Sequence, residues 1–227
     1  MADLMDLRAR PIDAGKEALP LPSGTPVYES LTSRFVDFER LQATLAETGY
    51  SGYVRLVAPG AQGVVLLRNG KVVDSLHRRG SETLSGGSAL AAIERQVADG
   101  SGVLDLVNLD SELVDGLHHL ASGAPTYPDL RASWVNPEGL LRFLEQRHFT
   151  GAISVRAGRG GGVIMLHDGE VTGSFTTESR VMGDDAAAVI ALCEDPEAVI
   201  EVHAAGPGFA HEGFEPIEQG EPVSTSA

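Results

Sequence analysis

The chain has 227 residues, 42% of them apolar and only 5% aromatic, so it is long enough for one large or two small globular units with aliphatic cores. Seventeen Lys and Arg against 32 Asp and Glu give a formal charge of −15, which disfavours nucleic-acid backbone and anionic membrane surfaces and favours basic or neutral partners. The single cysteine, Cys193, excludes an internal disulfide, and the acidic opening Met1-Ala2-Asp3-Leu4-Met5-Asp6 lacks the basic start and apolar run of a signal peptide, so the expected location is the cytoplasm.

Residues 1–25 mix charge with Pro11, Pro20, Pro22 and Gly24 without a sustained period and read as a mobile leader. A first α+β unit spans 26–107. Phe38, Leu41 and Leu45 fall at helical spacing behind Asp37 as N-cap, and Gly49 is placed to stop that helix. Val54, Leu56 and Ala58 alternate with Tyr53, Arg55 and Val57 as a strand. Pro59-Gly60 turns the chain into Val64-Val65-Leu66-Leu67, and Asn69-Gly70, suited to the two positive φ angles of a type I′ turn, leads into Val72-Val73. Ala89, Leu90, Ile93 and Val97 mark a second helix after the loop Ser85-Gly86-Gly87-Ser88, ending at Gly100, and a last strand follows over 103–107.

Residues 108–124 form a bridging helix: Asp110 caps it, Leu113, Leu117 and Leu120 make its apolar stripe, and Gly123 closes it. A second unit occupies 125–205. Its first helix (Leu140, Leu141, Leu144) follows Asn136-Pro137, a cap residue with Pro at the first helical position. Strands over 150–155 and 162–166 lead to an Asp168-Gly169 hairpin, and a helix from Asp184-Asp185 to Cys193 is stopped by Asp195-Pro196. The tail 206–227 carries Glu212, Glu215, Glu218 and Glu221 without Lys or Arg and is expected to be disordered.

The two units align at one constant shift. Gly52 with Gly151, Gly63 with Gly162, Gly70 with Gly169 and Val72 with Val171 are each 99 apart, as are Pro26 with Pro125, Tyr28 with Tyr127, Leu31 with Leu130, Val36 with Val135, Leu41 with Leu140 and Leu45 with Leu144. Downstream the alignment slips by two or three residues, matching Leu104-Asp105-Leu106 to Ile200-Glu201-Val202. The expected fold is α+β: two tandem repeats, each helix, antiparallel β-meander, helix and strand, joined by the bridging helix.

The run Thr150-Gly151-Ala152-Ile153-Ser154-Val155, then Gly162-Val163-Ile164-Met165-Leu166, Asp168-Gly169-Glu170-Val171, Ala186-Ala187-Ala188-Val189-Ile190 and Val199-Ile200-Glu201-Val202 resembles the PATAN-like domains of bacterial signalling proteins. The resemblance extends to the first unit more loosely, with Ser51 for Thr150, and covers about 35–107 and 134–204. It implies a non-catalytic regulatory or interaction role beside receiver domains, kinases or helical repeats, and carries over no catalytic residue.

Candidate chemistry is sparse. Gly158-Arg159-Gly160-Gly161-Gly162 has the composition of a phosphate loop, but a strand follows where a helix is needed, and the first unit has Pro59-Gly60-Ala61-Gln62-Gly63 there; a hairpin turn is the reading. Arg78 and Arg79, with Gly86, Gly87 and Ser88 at the second helix's entry, form a candidate site for a small anion or a partner's carboxylate. His118 and His119 diverge by about 100° on a helix and do not chelate one ion. No side chains converge as a catalytic, cofactor or metal site, and no enzymatic activity is expected. The hairpin tips Arg68-Asn69 and His167-Asp168, with open strand edges, are the candidate contacts of a signalling adaptor whose partners are proteins: a response regulator, a kinase or, on a roadblock-like architecture, a small GTPase. A sensor of a small anion is the alternative, and self-association is compatible with both.

Overall fold

The computed structural model describes residues 19–122 and 124–205; the tail 206–227, most of the leader and the closing Gly123 lie outside the described residues. The chain is α+β, with two antiparallel sheets. The first has six strands, β1 (Thr25–Thr32), β2 (Gly52–Ala58), β3 (Ala61–Arg68), β4 (Lys71–Arg79), β5 (Glu82–Ser85) and β6 (Val103–Asn108), in the order β1-β6-β2-β3-β4-β5. The second has five, β7 (Tyr127–Arg131), β8 (Gly151–Ala157), β9 (Gly160–His167), β10 (Glu170–Thr176) and β11 (Val199–Ala204), in the order β7-β11-β8-β9-β10. Among the described residues five α-helices accompany them: α1 (Phe38–Glu47), α2 (Gly86–Ala98), α3 (Ser111–Ser122), α4 (Pro137–Gln146) and α5 (Ala187–Ile190), the last running into a 3-10 turn at Ala191–Glu194.

Local chemistry accounts for these boundaries. Asp37 accepts a hydrogen bond from the Arg40 amide at 3.0 Å, and Asn136 from the Gly139 amide at 2.8 Å, so both first helices begin on a side-chain cap. Both hairpins are tight: Asn69 and Gly70 have φ of 49° and 78°, Asp168 and Gly169 of 51° and 85°. The tips are packed too closely for side chains, since a Cβ on Gly70 would stand 2.5 Å from the Ala46 carbonyl oxygen and one on Gly169 2.6 Å from that of Glu145. Each meander is therefore fastened to the end of its own helix.

Alternation along the strands gives each sheet two apolar faces. On the outer face of the first sheet, Val54, Leu56, Val65, Leu67, Leu104 and Leu106 meet Phe38 and Leu45 of α1 and Ile93 and Val97 of α2. On the outer face of the second, Ile153, Val155, Ile164, Leu166, Ile200 and Val202 meet Leu144 of α4 and Val189 of α5. Between the sheets lies the central cluster, where Val114 and Leu117 of α3 join Tyr53, Val64, Leu66, Leu76 and Val107 to Ala152, Val163, Met165 and Phe175. Gly116 makes the approach close, because a Cβ there would lie 2.8 Å from Met165 Sδ. The layers are helices, sheet, single helix, sheet, helices, and the bridging helix has both of its neighbours as cover.

Four sequence expectations need correction. The units open with edge strands, β1 and β7, which Pro26, Pro128 and short irregular runs disguise. Glu82–Ser85, where the sequence predicts no strand and places the last residue in the loop 85–88, is strand β5, held by the β4 ladder rather than by a pattern of its own. The helix expected from 184 to 193 is one α-helical turn followed by a 3-10 turn. Its first residues are spent elsewhere: Ser174 and Gly183 exchange backbone hydrogen bonds at 2.9 and 2.8 Å, and Ser174 Oγ donates to the Asp185 carbonyl, drawing 183–185 alongside β10. Finally, Leu19 and Leu21, expected in a mobile leader, are buried in the central cluster.

Candidate functional site

The hairpin tips are tied down by their own surroundings. Arg68 forms an ion pair with Asp115 of α3 at 3.1 Å, and the Asn69 amide donates to Ser51 Oγ at 2.9 Å. In the second half, Asp168 pairs with His148 at 3.1 Å and its amide donates to Thr150 Oγ1 at 2.9 Å, while His167 stays exposed. The Ser or Thr opening the meander holds the hairpin tip in both halves, which is a structural task.

Arg78 and Arg79 are not brought to the start of α2. They pair with Thr83 and Glu82 across the β4–β5 hairpin, whereas Ser85, the residue before Gly86, pairs with Leu76. Three residue pairs, roughly 10 Å of strand, separate Arg79 from the helix entry, and adjacent strand residues point to opposite faces. Gly86, with φ of 59°, and Gly87 face open space, and Ser88 is exposed. The expected anion cradle is not assembled.

Gly158–Gly162 is a hairpin turn: Ala157 pairs with Gly160 and Val155 with Gly162. Among the described residues no group of three or more His, Cys, Asp or Glu is placed to hold a metal ion, and no helix is long and apolar enough to cross a membrane. Ionisable groups occur as structural pairs. Asp74, almost buried on β4, stands 3.3 Å from His118 of α3, and burial followed by the charge of His118 lowers the pKa of the adjacent His119. On β8 and β11, Arg156 donates to both carboxylate oxygens of Glu201 at 2.7 and 3.0 Å; these hydrogen bonds hold Glu201 below the usual carboxylate range and raise Arg156. At the matching place in the first half, Arg55 donates through Nε and Nη2 to one oxygen of Asp105, at 3.1 and 2.7 Å.

An apolar crevice of ≈ 250 Å³, open to solvent, runs between α4, the 3-10 turn and the second sheet, lined by Pro137, Leu140, Leu141, Ile190 and Cys193 over Ile153 and Ile200. Its interior holds little more than a water-sized sphere, which makes it a packing gap. Burial raises the pKa of the Cys193 thiol, so the thiolate is disfavoured there.

Two aromatic residues at matched positions are the most exposed of the large apolar side chains described. Phe35, in the turn Ser33–Phe35 after β1, is 82% exposed, and Trp134, after β7, is 73% exposed. They stand 99 positions apart, each directly before Val36 or Val135 and a helix cap. The Arg131 guanidinium lies 5.9 Å from the Trp134 ring centroid while donating to Glu197 at 2.6 Å. The constant shift that matched Val36 with Val135 contains this pair. It is visible only when exposure is known, because an aromatic before a helix cap reads equally well as core.

Two antiparallel sheets clasping one helix, with a twin aromatic display, define the molecule. Residues 19–121 match the model of a family described as an uncharacterized protein conserved in archaea, DUF2226. The matched segment takes in Leu19, the whole six-stranded sheet and α3 almost to its end, so the likeness covers the first half together with the bridging helix. It overturns the resemblance to PATAN-like domains and the bacterial signalling setting that went with it, since the matched family is archaeal and has no described role. No curated protein and no solved structure matches the chain.

Proposed function

We propose that this chain is a non-catalytic protein-interaction module, an adaptor whose two halves are copies of one α+β unit and present related surfaces to a protein partner. The observation that carries the reading is the exposure of Phe35 and Trp134 at matched positions. A large aromatic side chain in water leaves roughly 1.5–3 kcal/mol of burial unrealised, and exposed aromatics serve as anchors in protein interfaces. Two turns that have diverged at Arg34 and Ser133 still both carry an exposed aromatic.

Support for copying comes from the strand orders, β1-β6-β2-β3-β4 beside β7-β11-β8-β9-β10, and from the positive φ of Ser30 and Asp129, 99 apart, at 54° and 52°. Strand addition at the outer edges is a poorer route to a partner than aromatic docking. Pro26 and Pro128 remove donors there, and β1 and β7 are irregular in their pairing, both means of blunting an edge.

The test compares quantitative cross-linked capture from the source cell extract by the wild-type chain and by the double variant Phe35→Ala/Trp134→Ala. A protein recovered by the first and lost at least about tenfold by the second, which is roughly 1.4 kcal/mol, supports the reading. Equal recovery by both chains, with the variant's melting temperature unchanged, overturns it.

A further inference from the structure

Residues 19–24 belong to no helix or ladder, yet Leu19 and Leu21 are only 4% and 2% exposed and join the cluster shared by α3 and both sheets. The local sequence Leu19-Pro20-Leu21-Pro22 explains how. Each proline fixes its own φ, pushes the leucine before it into extended backbone, and removes one N–H that would need a partner. Two leucine side chains are thus presented from a stiff segment that loses little conformational entropy on docking.

The segment is held at points on both halves. Tyr53 Oη donates to the Pro22 carbonyl at 3.1 Å, and the Ser23 amide donates to the Arg180 carbonyl at 2.6 Å. Gly24 then passes so close to the first sheet that a Cβ would lie 2.3 Å from the Asn108 carbonyl oxygen and 2.5 Å from Leu109 Cδ2. Met182, two residues beyond Arg180, packs on the same cluster. The strap is an extended peptide seated in a channel by two leucines and two polar contacts. It can leave without opening a β-ladder.

We propose that this channel is a recognition groove for an extended leucine–proline segment of a partner protein, and that residues 19–24 fill it in cis as a tethered competitor. The inference rests on the reading of the chain as a protein-binding module and names the chemistry of what it binds. The seated strap shows what is accepted: two leucines spaced by one residue, a carbonyl facing the Tyr53 hydroxyl, an N–H facing the Arg180 carbonyl, and a buried proline at 22 that brings no N–H of its own. Tethering gives the strap an effective concentration in the millimolar range, so an untethered segment of equal chemistry competes only at about that concentration.

The experiment uses the full chain and a fluorescent peptide of its residues 17–25, with binding read by anisotropy. The wild-type chain should half-saturate near ~1 mM, and the strap-released variant Leu19→Ser/Leu21→Ser should bind the same peptide at least about tenfold more tightly. A peptide carrying the two serines should bind neither chain. Where the released variant loses its native circular dichroism, the pair Ser23→Cys/Arg180→Cys in a Cys193→Ser background replaces it: the oxidised, strap-locked chain should exclude the peptide and the reduced chain admit it. Peptide uptake that ignores the lock, absence of uptake by both the released and the reduced chain, or a concentration-dependent dimer that forms by strap exchange in place of uptake would each overturn the groove. These readouts do not involve Phe35 or Trp134, so the groove and the adaptor reading fail separately.

Discussion

The two sheets carry the same meander under different roofs. In the first half, β5 pairs with β4, and the 13-residue α2 lays Ala89, Ile93 and Val97 on the sheet. In the second, the chain after β10 folds back through Ser174 and Gly183, and α5 has only four residues before the 3-10 turn, leaving the crevice beside α4. What is shared lies within the sheet: the tight hairpins, the Ser51 or Thr150 hydroxyl that holds each tip, and a glycine at 63 and 162 where a helix presses on β3 or β9. The strands inside each sheet are therefore the constrained part, since β2, β3, β8 and β9 are each paired on both sides, whereas a covering element need only supply apolar volume.

The largest expected effect tests whether the halves stand or fall together. Leu117, fully buried on α3 within the cluster that spans both sheets, should cost about 2–5 kcal/mol when changed to Ala. Amide protection in β8 and β9, which reports the second half, should be lost at the same denaturant concentration as the whole-chain circular dichroism. Two separated transitions would mean that α3 belongs to one half only.

A sharper comparison substitutes the matched glycines. Neither has a positive φ, so only space decides: a Cβ at Gly63 meets Ile93 Cγ1 at 2.6 Å, and one at Gly162 meets Val189 Cγ2 at 2.9 Å. Gly63→Ala should destabilise by about 1–3 kcal/mol and Gly162→Ala by less, because its closest contact is the longer of the two and its cover is a single helical turn. Urea melts of the two variants measure the difference, and equal costs would mean that the short cover is as rigid as the long one.

The smallest effect concerns acid. Arg156 holds Glu201 below its ordinary range, and a carboxylate with a depressed folded-state pKa adds stability above its unfolded value of about 4.3 that is lost as pH falls through the folded value. Since Arg156 is more than half exposed, solvent keeps the contribution at about 1 kcal/mol or less. Thermal melts between pH 6 and pH 3 should fall more steeply for the wild type than for Glu201→Gln; parallel curves would show that the pair contributes nothing.

Elements that carry their own signal were legible in the sequence: Asp37 and Asn136 as caps, Asn69-Gly70 and Asp168-Gly169 as turns, the stripe on α3. Elements that exist only through a neighbour were not. β5 depends on β4, the edge strands depend on β6 and β11, and α5 is short because the chain ahead of it is bridged to Ser174 at Gly183, four residues before the helix begins, contacts that no local pattern encodes. The same holds for the candidate sites. Arg78 and Arg79 are near Gly86 in sequence but two and three ladder rungs from the helix entry in space, while Leu19 and Leu21 look like linker and are core.

Because α3 is shared, a half-length bait would not behave as half of this protein. Cut before Ser111, the first sheet would expose Tyr53, Val64, Leu66 and Leu76 to water; cut after Ser122, the second would bare Ala152, Val163, Met165 and Phe175. Such fragments would adhere to any greasy surface offered to them, and a screen run with them would score spilled interior as recognition.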